Sequence, residues 1–201
     1  MEVTETNDLL SPATWQALAD EYLQDVGRWA DPSTKGWFQL REHVYANTSS
    51  DITPETGWVC SWSRTRDYHW EVRKDADDLV DSYAALQAYA DRVDIFHKDI
   101  PLSDLHHDHP YFTRVDNLVF RAWHDTGHLE HNLSFTANDE LRLFGKQANG
   151  LTPAAVDALF CESVYQLAAC LVLDGYPEQQ YCRALGPVGR AVRDVLISAF
   201  G

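Results

Sequence analysis

The chain has 201 residues, of which 45% are hydrophobic and 12% aromatic, and 31 acidic against 16 basic residues give it a formal net charge of -15. This composition supplies enough apolar surface for a hydrophobic core and excludes an intrinsically disordered chain. The acidic balance excludes tight, non-specific binding to nucleic acid, because that binding needs lysine and arginine to neutralise phosphates.

The cysteines and the apolar runs indicate the cellular compartment of the protein. The four cysteines contain no CxxC pair, and three lie in apolar, helical stretches, so we expect them to be reduced and buried. No signal segment opens the chain, and no apolar run approaches the ~18 residues of a membrane span. The sequence therefore predicts a soluble, cytoplasmic protein without a membrane partner.

The first 74 residues divide into a helix and an aromatic lobe. Ser11 and Pro12 are typical of a helix start, and the spacing of apolar residues to Trp29 predicts an amphipathic N-terminal helix within residues 1–30. In residues 31–74, Pro, Gly, Ser and Thr separate the pieces GWFQL, GWVCSWS and YHWEV, whose alternation favours short strands or a hairpin. Arg64 and Arg66 are candidates for holding an anionic group there, with a solvated role as the alternative.

The rest of the chain is dominated by helical periodicity. Apolar residues recur with helical spacing over residues 75–96 and 117–131, a further helix begins at Asn138, and the strongest helix follows Thr152 and Pro153. A last helix covers residues 187–199. We predict a mainly α fold, with residues 1–201 as one helical-bundle-like domain, a helical core over 75–201, and a small irregular or β-hairpin insertion near residues 36–73.

The sequence HDTGH at residues 124–128 carries the clearest chemical signal. His124 and His128 are four residues apart, so on a helix they share one face and can bind one metal ion. Asp125 also fits a ligand, as in HD-type phosphohydrolases, or an orienting group. The alternative is a solvated helix end. Because a catalytic metal site needs about three protein ligands, further ligands are required.

Two glutamates are the candidates for those ligands. Glu162 stands in an otherwise apolar helix, where a carboxylate is costly to bury unless it is paired or metal-bound. Glu140 lies one helix earlier and can act as a ligand or a base. Gln166, one turn beyond Glu162, can orient it or reach a substrate. His109 is a possible ligand, whereas His106 and His107 fit an exposed connector better.

Residues 108–180 resemble an uncharacterised family found mainly in tailed bacteriophages. The likeness rests on DHPYF, DNLVFRAWHDTGH, LSFTANDE and LFCESVYQLAACLVLDGYPEQQ, which contain an F-R-x-x-H-D segment ending in His and a later Glu-x-x-x-Gln. The recurrent polar residues of the family fall on His124, Asp125, His128, Glu140, Glu162 and Gln166. The resemblance implies a phage setting, in the cytoplasm of an infected cell, and a metal site, without an established reaction.

Three functions remain open on these grounds. The first is a metal-dependent hydrolase or group transferase that acts on a nucleotide or a modified DNA base, with Zn, Mn or Fe bound by His124, His128, Glu140 and Glu162. The second is a non-haem iron oxygenase with the same ligands. The third is a non-catalytic phage inhibitor or interaction protein, with a structural metal or none.

Overall fold

The computed structural model describes residues 8–24, 34–53, 57–64, 66–73, 83–91, 100–103, 109–177 and 180–201. The helices within them are α1 (Pro12–Leu23), α2 (Thr34–Ala46), α3 (Tyr83–Asp91), α4 (Arg114–His131), α5 (Ala137–Ala148), α6 (Pro153–Leu173) and α7 (Pro187–Phe200). The strands are β1 (Thr48–Ile52), β2 (Gly57–Trp62), β3 (Asp67–Arg73) and β4 (Ile100–Ser103).

The four strands form one mixed sheet in the order β1-β2-β3-β4, in which the first three are antiparallel and β4 runs parallel to β3. The predicted mainly α fold with a small hairpin insertion is therefore wrong, and the architecture is mixed α/β. β4 was missed because its Pro101 is typical of irregular chain. Proline is tolerated here because β4 is an edge strand of the described sheet, where an amide N–H is not needed on the open side.

The prediction of a strand or hairpin for GWFQL is also wrong, because these residues lie in helix α2. Trp37, Leu40 and Val44 are buried with a spacing of three and four residues, which is the period of a helix. GWVCSW and YHWEV do form the predicted neighbouring strands, β2 and β3. The pattern in GWFQL covers too few residues to distinguish the two-residue period of a strand from the 3.6-residue period of a helix.

Most of the predicted helices are found. Ser11 caps α1 and Thr152 caps α6, each through its side-chain oxygen. Trp29 and the outer parts of the predicted helix over residues 75–96 lie outside the described residues, and α3 is its described part. Most of the described buried apolar side chains form one cluster around which the helices and the sheet pack. All four cysteines are free; Cys60, Cys161 and Cys182 are buried as predicted, whereas Cys170 is only partly buried.

Helix α6 departs from the expectation that no apolar run approaches a membrane span. It is long and apolar enough to cross a membrane by length and composition, but 56% of the relevant window is buried inside the protein. A core helix of a soluble protein passes the same test, so this length is weak evidence for a membrane location.

Helix α4 is held against the sheet by a buried polar contact. The Ser61 hydroxyl on β2 is hydrogen-bonded to the Thr126 hydroxyl on α4 and accepts a hydrogen bond of 2.8 Å from the indole N–H of Trp70. Thr126 also lies 2.7 Å from the carbonyl of Ala122. Because buried polar groups are costly to leave unpaired, this contact fixes the rotation of α4 and hence the direction of its histidine face.

The start of α4 is fixed by a capping box. The Thr113 side chain accepts from the Asp116 N–H, and the Asp116 carboxylate accepts from the Thr113 N–H. Arg41 and Tyr45 of α2 also donate to Asp116, at 2.7 and 2.8 Å. Burial opposes ionisation of Asp116, but these hydrogen bonds outweigh it and lower its pKa.

We expect Asp116→Asn to lower the free energy of unfolding by about 2 kcal/mol at pH 7, because charge-assisted hydrogen bonds are lost. A lowered folded-state pKa contributes stability above the unfolded pKa, which is lost as the pH falls through the folded value. The difference from wild type should thus shrink below about pH 4 in urea unfolding. Asp20→Asn, at an exposed acid bonded to Gln16, is the control, and an equal loss there would contradict the assignment.

Candidate metal centre

The face of α4 that carries His124 and His128 points towards the first turn of α5. His124, Asp125 and His128 recur at a spacing that places them on one side of the helix. After α4, Asn132 adopts the left-handed conformation (φ 52°) and the chain turns into α5, whose N-cap is Thr136. This tight connection brings Glu140, in the acidic first turn of α5, opposite the histidines.

The carboxylate of Glu140 lies between the two imidazole rings. One oxygen is 3.2 Å from His124 Nε2 and the other is 3.2 Å from His128 Nε2. Two ligands bound at about 2.1 Å to one ion are separated by roughly 3.0–3.4 Å at octahedral or tetrahedral angles. Each of the two observed N···O distances lies within this range, which is also the range of an ion pair.

The hydrogen bonds at Nδ1 of His124 and His128 favour the tautomer that a metal ligand requires. His128 Nδ1 is 3.1 Å from the carbonyl oxygen of Leu133, which can only accept, so Nδ1 carries the proton. His124 Nδ1 is 2.9 Å from the side-chain oxygen of Gln147, which also accepts. In the neutral rings both Nε2 atoms then carry lone pairs that face Glu140. Metal-binding histidines typically have such a partner on the opposite nitrogen.

His128 supplies the strongest single sign of a missing partner. Its ring is fully buried, and its Nε2 makes no hydrogen bond of regular geometry, with the Glu140 carboxylate at 3.2 Å as its one charged neighbour among the described contacts. A buried polar atom without a partner costs about 1–3 kcal/mol, so native structures rarely leave one unexplained. A metal ion between His124, His128 and Glu140 would satisfy it.

The charges at the site are strongly coupled. Burial opposes ionisation of Glu140, but the adjacent imidazole rings of His124 and His128 outweigh it and lower the pKa of Glu140 to about 2. Burial also opposes protonation of His124, yet its contact with Glu140 raises its pKa. Burial raises the pKa of Asp125, with Arg121 and the histidines opposing the rise. The carboxylate of Asp125 lies within 4.8 Å of a ligand atom of each histidine, so His124, Asp125 and His128 are by themselves close enough to hold an ion.

Glu162 does not belong to this group, although we predicted it as a ligand with His124 and His128. Its carboxylate is 2.8 Å from His109 Nε2, and Cys182 Sγ lies 3.5 Å from the same nitrogen. All three residues are close enough to hold an ion. Glu162 sits in a π-helical turn of α6, Cys161–Tyr165, a distortion that is often associated with functional sites.

The protonation of His109 argues against a metal in this second group. His109 Nδ1 accepts hydrogen bonds from the backbone N–H groups of Phe112 and Tyr111, at 2.6 and 3.0 Å. The proton of the neutral ring therefore resides on Nε2, where it is donated to Glu162. Because a ligand nitrogen must be unprotonated, metal binding would require a doubly deprotonated ring. We interpret the group as a buried hydrogen-bonded cluster.

Gln166, Arg64 and Arg66, the other predicted residues that the structure describes, belong to neither group. Gln166 is half-buried on α6, and among the described residues we find no hydrogen bond from it to either group. Arg64 forms an ion pair with Glu130, and the Arg66 guanidinium lies over the Tyr68 ring. His106 and His107 lie outside the described residues.

Gln147 is the main residue that sequence reasoning missed. It follows Glu140 by seven residues, which is two helical turns on the same face of α5, so its spacing could have indicated it. Gly127 makes room for it, because a Cβ on Gly127 would lie 2.7 Å from Gln147 Nε2 and 2.8 Å from a methyl group of Leu143. The glycine thus allows α5 to approach α4 closely enough for Gln147 to orient His124.

Comparisons of the chain with protein-family models, with curated proteins and with solved structures give no match. The function proposed for this chain consequently rests on the chemistry of its residues and on the resemblance stated from its sequence.

Proposed function

We propose that this protein is a metal-dependent enzyme whose ion is bound by His124, His128 and Glu140, with Asp125 as a fourth ligand or a proton-transferring group. The observation that carries the proposal is the convergence of His124 Nε2 and His128 Nε2 on the two oxygens of one half-buried carboxylate, with His128 Nε2 otherwise unpartnered. Two imidazoles and carboxylates suit Zn²⁺, Mn²⁺ and Fe²⁺.

The reaction that fits best is hydrolysis or group transfer. A divalent ion supplies Lewis acidity at such a site and makes a coordinated water acidic. Gln147 holds the proton on His124 Nδ1, and the Leu133 carbonyl does the same for His128, so that both rings keep their orientation. Asp125, whose pKa is raised by burial, is placed beside the histidines to take up or release a proton.

The resemblance implies the cytoplasm of an infected cell as the setting, and this setting together with the HD-like appearance of HDTGH favours a nucleotide or a modified DNA base as the substrate class. A non-haem iron oxygenase is the second candidate, because two histidines and one carboxylate with open positions are also the ligand set of those enzymes. The observation that favours it is the presence of these three ligands on neighbouring helices.

The test is a panel of nucleoside phosphates incubated with protein that has been loaded with Zn²⁺, Mn²⁺ or Fe²⁺. We expect chelator-sensitive hydrolysis by wild type and a loss of at least about 100-fold in Glu140→Gln, since a ligand should matter at least as much as an outer-shell residue. Glu130→Gln, on the Arg64 ion pair of α4, is the control.

Three results of the panel would change the proposal. Hydrolysis that survives both the chelator and Glu140→Gln would contradict it. Oxygen consumption confined to the Fe²⁺ form would select the oxygenase. Metal binding without hydrolysis or oxygen consumption would favour the non-catalytic alternative.

A further inference from the structure

We propose that the outer face of the sheet, marked by Trp58 and Trp62 of β2, binds a positively charged segment of a partner protein. This inference goes beyond the proposed function, because the face shares no residue with the metal centre. It lies on the side of the sheet opposite to Ser61, whose hydroxyl contacts α4.

Strand β2 exposes two large aromatic side chains on this outer face. Trp58 and Trp62 are 41% and 40% exposed, whereas Val59 and Ser61, which point to the inner face, are fully buried. Single exposed apolar residues are ordinary, but tryptophan is enriched where proteins bind their partners. Four residues of a strand span about 13 Å, so the two indoles form an extended aromatic surface.

Acidic residues are paired with both tryptophans in the register of the sheet. Asp51 on β1 and Glu71 on β3 lie directly opposite Trp58, and Asp67 on β3 lies directly opposite Trp62. Directly opposite residues of antiparallel strands share one face, with their Cβ atoms about 4.5–5.5 Å apart. All three acids are exposed. Each indole therefore has at least one carboxylate beside it.

The described basic residues near this face leave two of its acids uncompensated. Arg73, at the end of β3, pairs with Glu71 at 2.8 Å. Arg64, in the turn after β2, forms its ion pair with α4. Among the contacts of the described residues, neither Asp51 nor Asp67 has an ion pair. The face therefore combines exposed indoles with negative charge.

This combination selects a cationic occupant. A Lys or Arg side chain can bind over an indole ring and also contact the carboxylate beside it. The same acids repel the phosphates of nucleic acid and the headgroups of anionic membranes. A second copy of this chain carries the same net charge of -15 and is repelled as well. The occupant that fits is a segment rich in Lys or Arg, with basic side chains about 13 Å apart.

The experiment titrates the full chain against a fluorescein-labelled peptide of about 12 alternating Arg and Gly residues, which carries its cations on one side when extended. Fluorescence anisotropy measures binding. We expect Trp58→Ala and Trp62→Ala each to weaken binding about threefold or more, and the double variant about tenfold. These substitutions keep the net charge, so general attraction between charges cannot explain a loss. Phe38→Ala, at a 50% exposed aromatic residue of α2, is the control and should bind within about twofold of wild type.

A second pair of variants tests the acids. Asp67→Asn should weaken peptide binding about threefold, whereas Asp20→Asn, which removes the same charge from α1, should stay within about twofold of wild type. Wild type that does not bind the peptide below about 1 mM would overturn the inference, as would a Trp58→Ala/Trp62→Ala double variant that binds as wild type does. Tighter binding of an oligothymidine probe, lost in the same double variant, would assign the face to nucleic acid instead and also overturn it.

Discussion

His128→Ala is expected to weaken binding of Zn²⁺, Mn²⁺ or Fe²⁺ by more than about 100-fold, because removal of an outer-shell partner alone costs 10- to 100-fold in affinity. His128 is the most buried of the three proposed ligands, and its Nε2 has no other partner. Its loss leaves His124 and Glu140 as an incomplete set. Competition with a chromophoric chelator measures the change.

Metal-induced stabilisation gives an independent measure of the same loss. A ligand at 100 times its Kd stabilises the folded state by about 2.7 kcal/mol, which wild type should show and His128→Ala should not. His131→Ala, one turn later on α4 at a half-buried position outside the site, is the control and should bind metal as wild type does. An affinity in His128→Ala within about threefold of wild type would show that this ring is not a ligand.

Glu162→Ala is expected to lower the free energy of unfolding without weakening metal binding. Its removal leaves the His109 Nε2–H without its carboxylate acceptor and creates a cavity in α6, so we expect a loss of about 3 kcal/mol in urea unfolding. Metal affinity should remain within about threefold of wild type, because the carboxylate contacts His109 and not the other two histidines.

A conservative variant sharpens this result. Glu162→Gln keeps an oxygen that can accept from His109 and should therefore recover part of the lost stability. If Glu162→Ala instead lost metal binding while it kept its unfolding free energy, the ion would lie in the group formed by His109, Glu162 and Cys182.

The candidate residues were accessible from sequence because local spacing determines which side chains share a helix face. The four-residue interval places His124 and His128 together, and the first turn of a helix is where an acid such as Glu140 is favoured. The pairing of Glu162 with His109 could not be predicted from the sequence. An acid in an apolar helix indicates that a partner exists, but its partner His109 is 53 residues away along the chain.

Features of the fold that depend on neighbouring residues were predicted, and features that depend on distant residues were missed. Capping residues such as Ser11 and Thr152 marked helix starts correctly, because the cap is formed by neighbouring residues. The parallel pairing of β4 with β3 was missed, because it joins Ile100 to Trp70 across the intervening chain. Such pairings depend on tertiary packing and not on the pattern of a single strand.

The most direct test of the metal centre is the metal content of protein purified without a histidine tag, incubated with Zn²⁺, Mn²⁺ or Fe²⁺ and then dialysed. We predict about one equivalent per chain in wild type and less than about a tenth in Glu140→Gln, which preserves the shape of the side chain and removes its charge. Wild type below about a tenth of an equivalent with all three ions, or equal content in both proteins, would contradict the assignment of His124, His128 and Glu140.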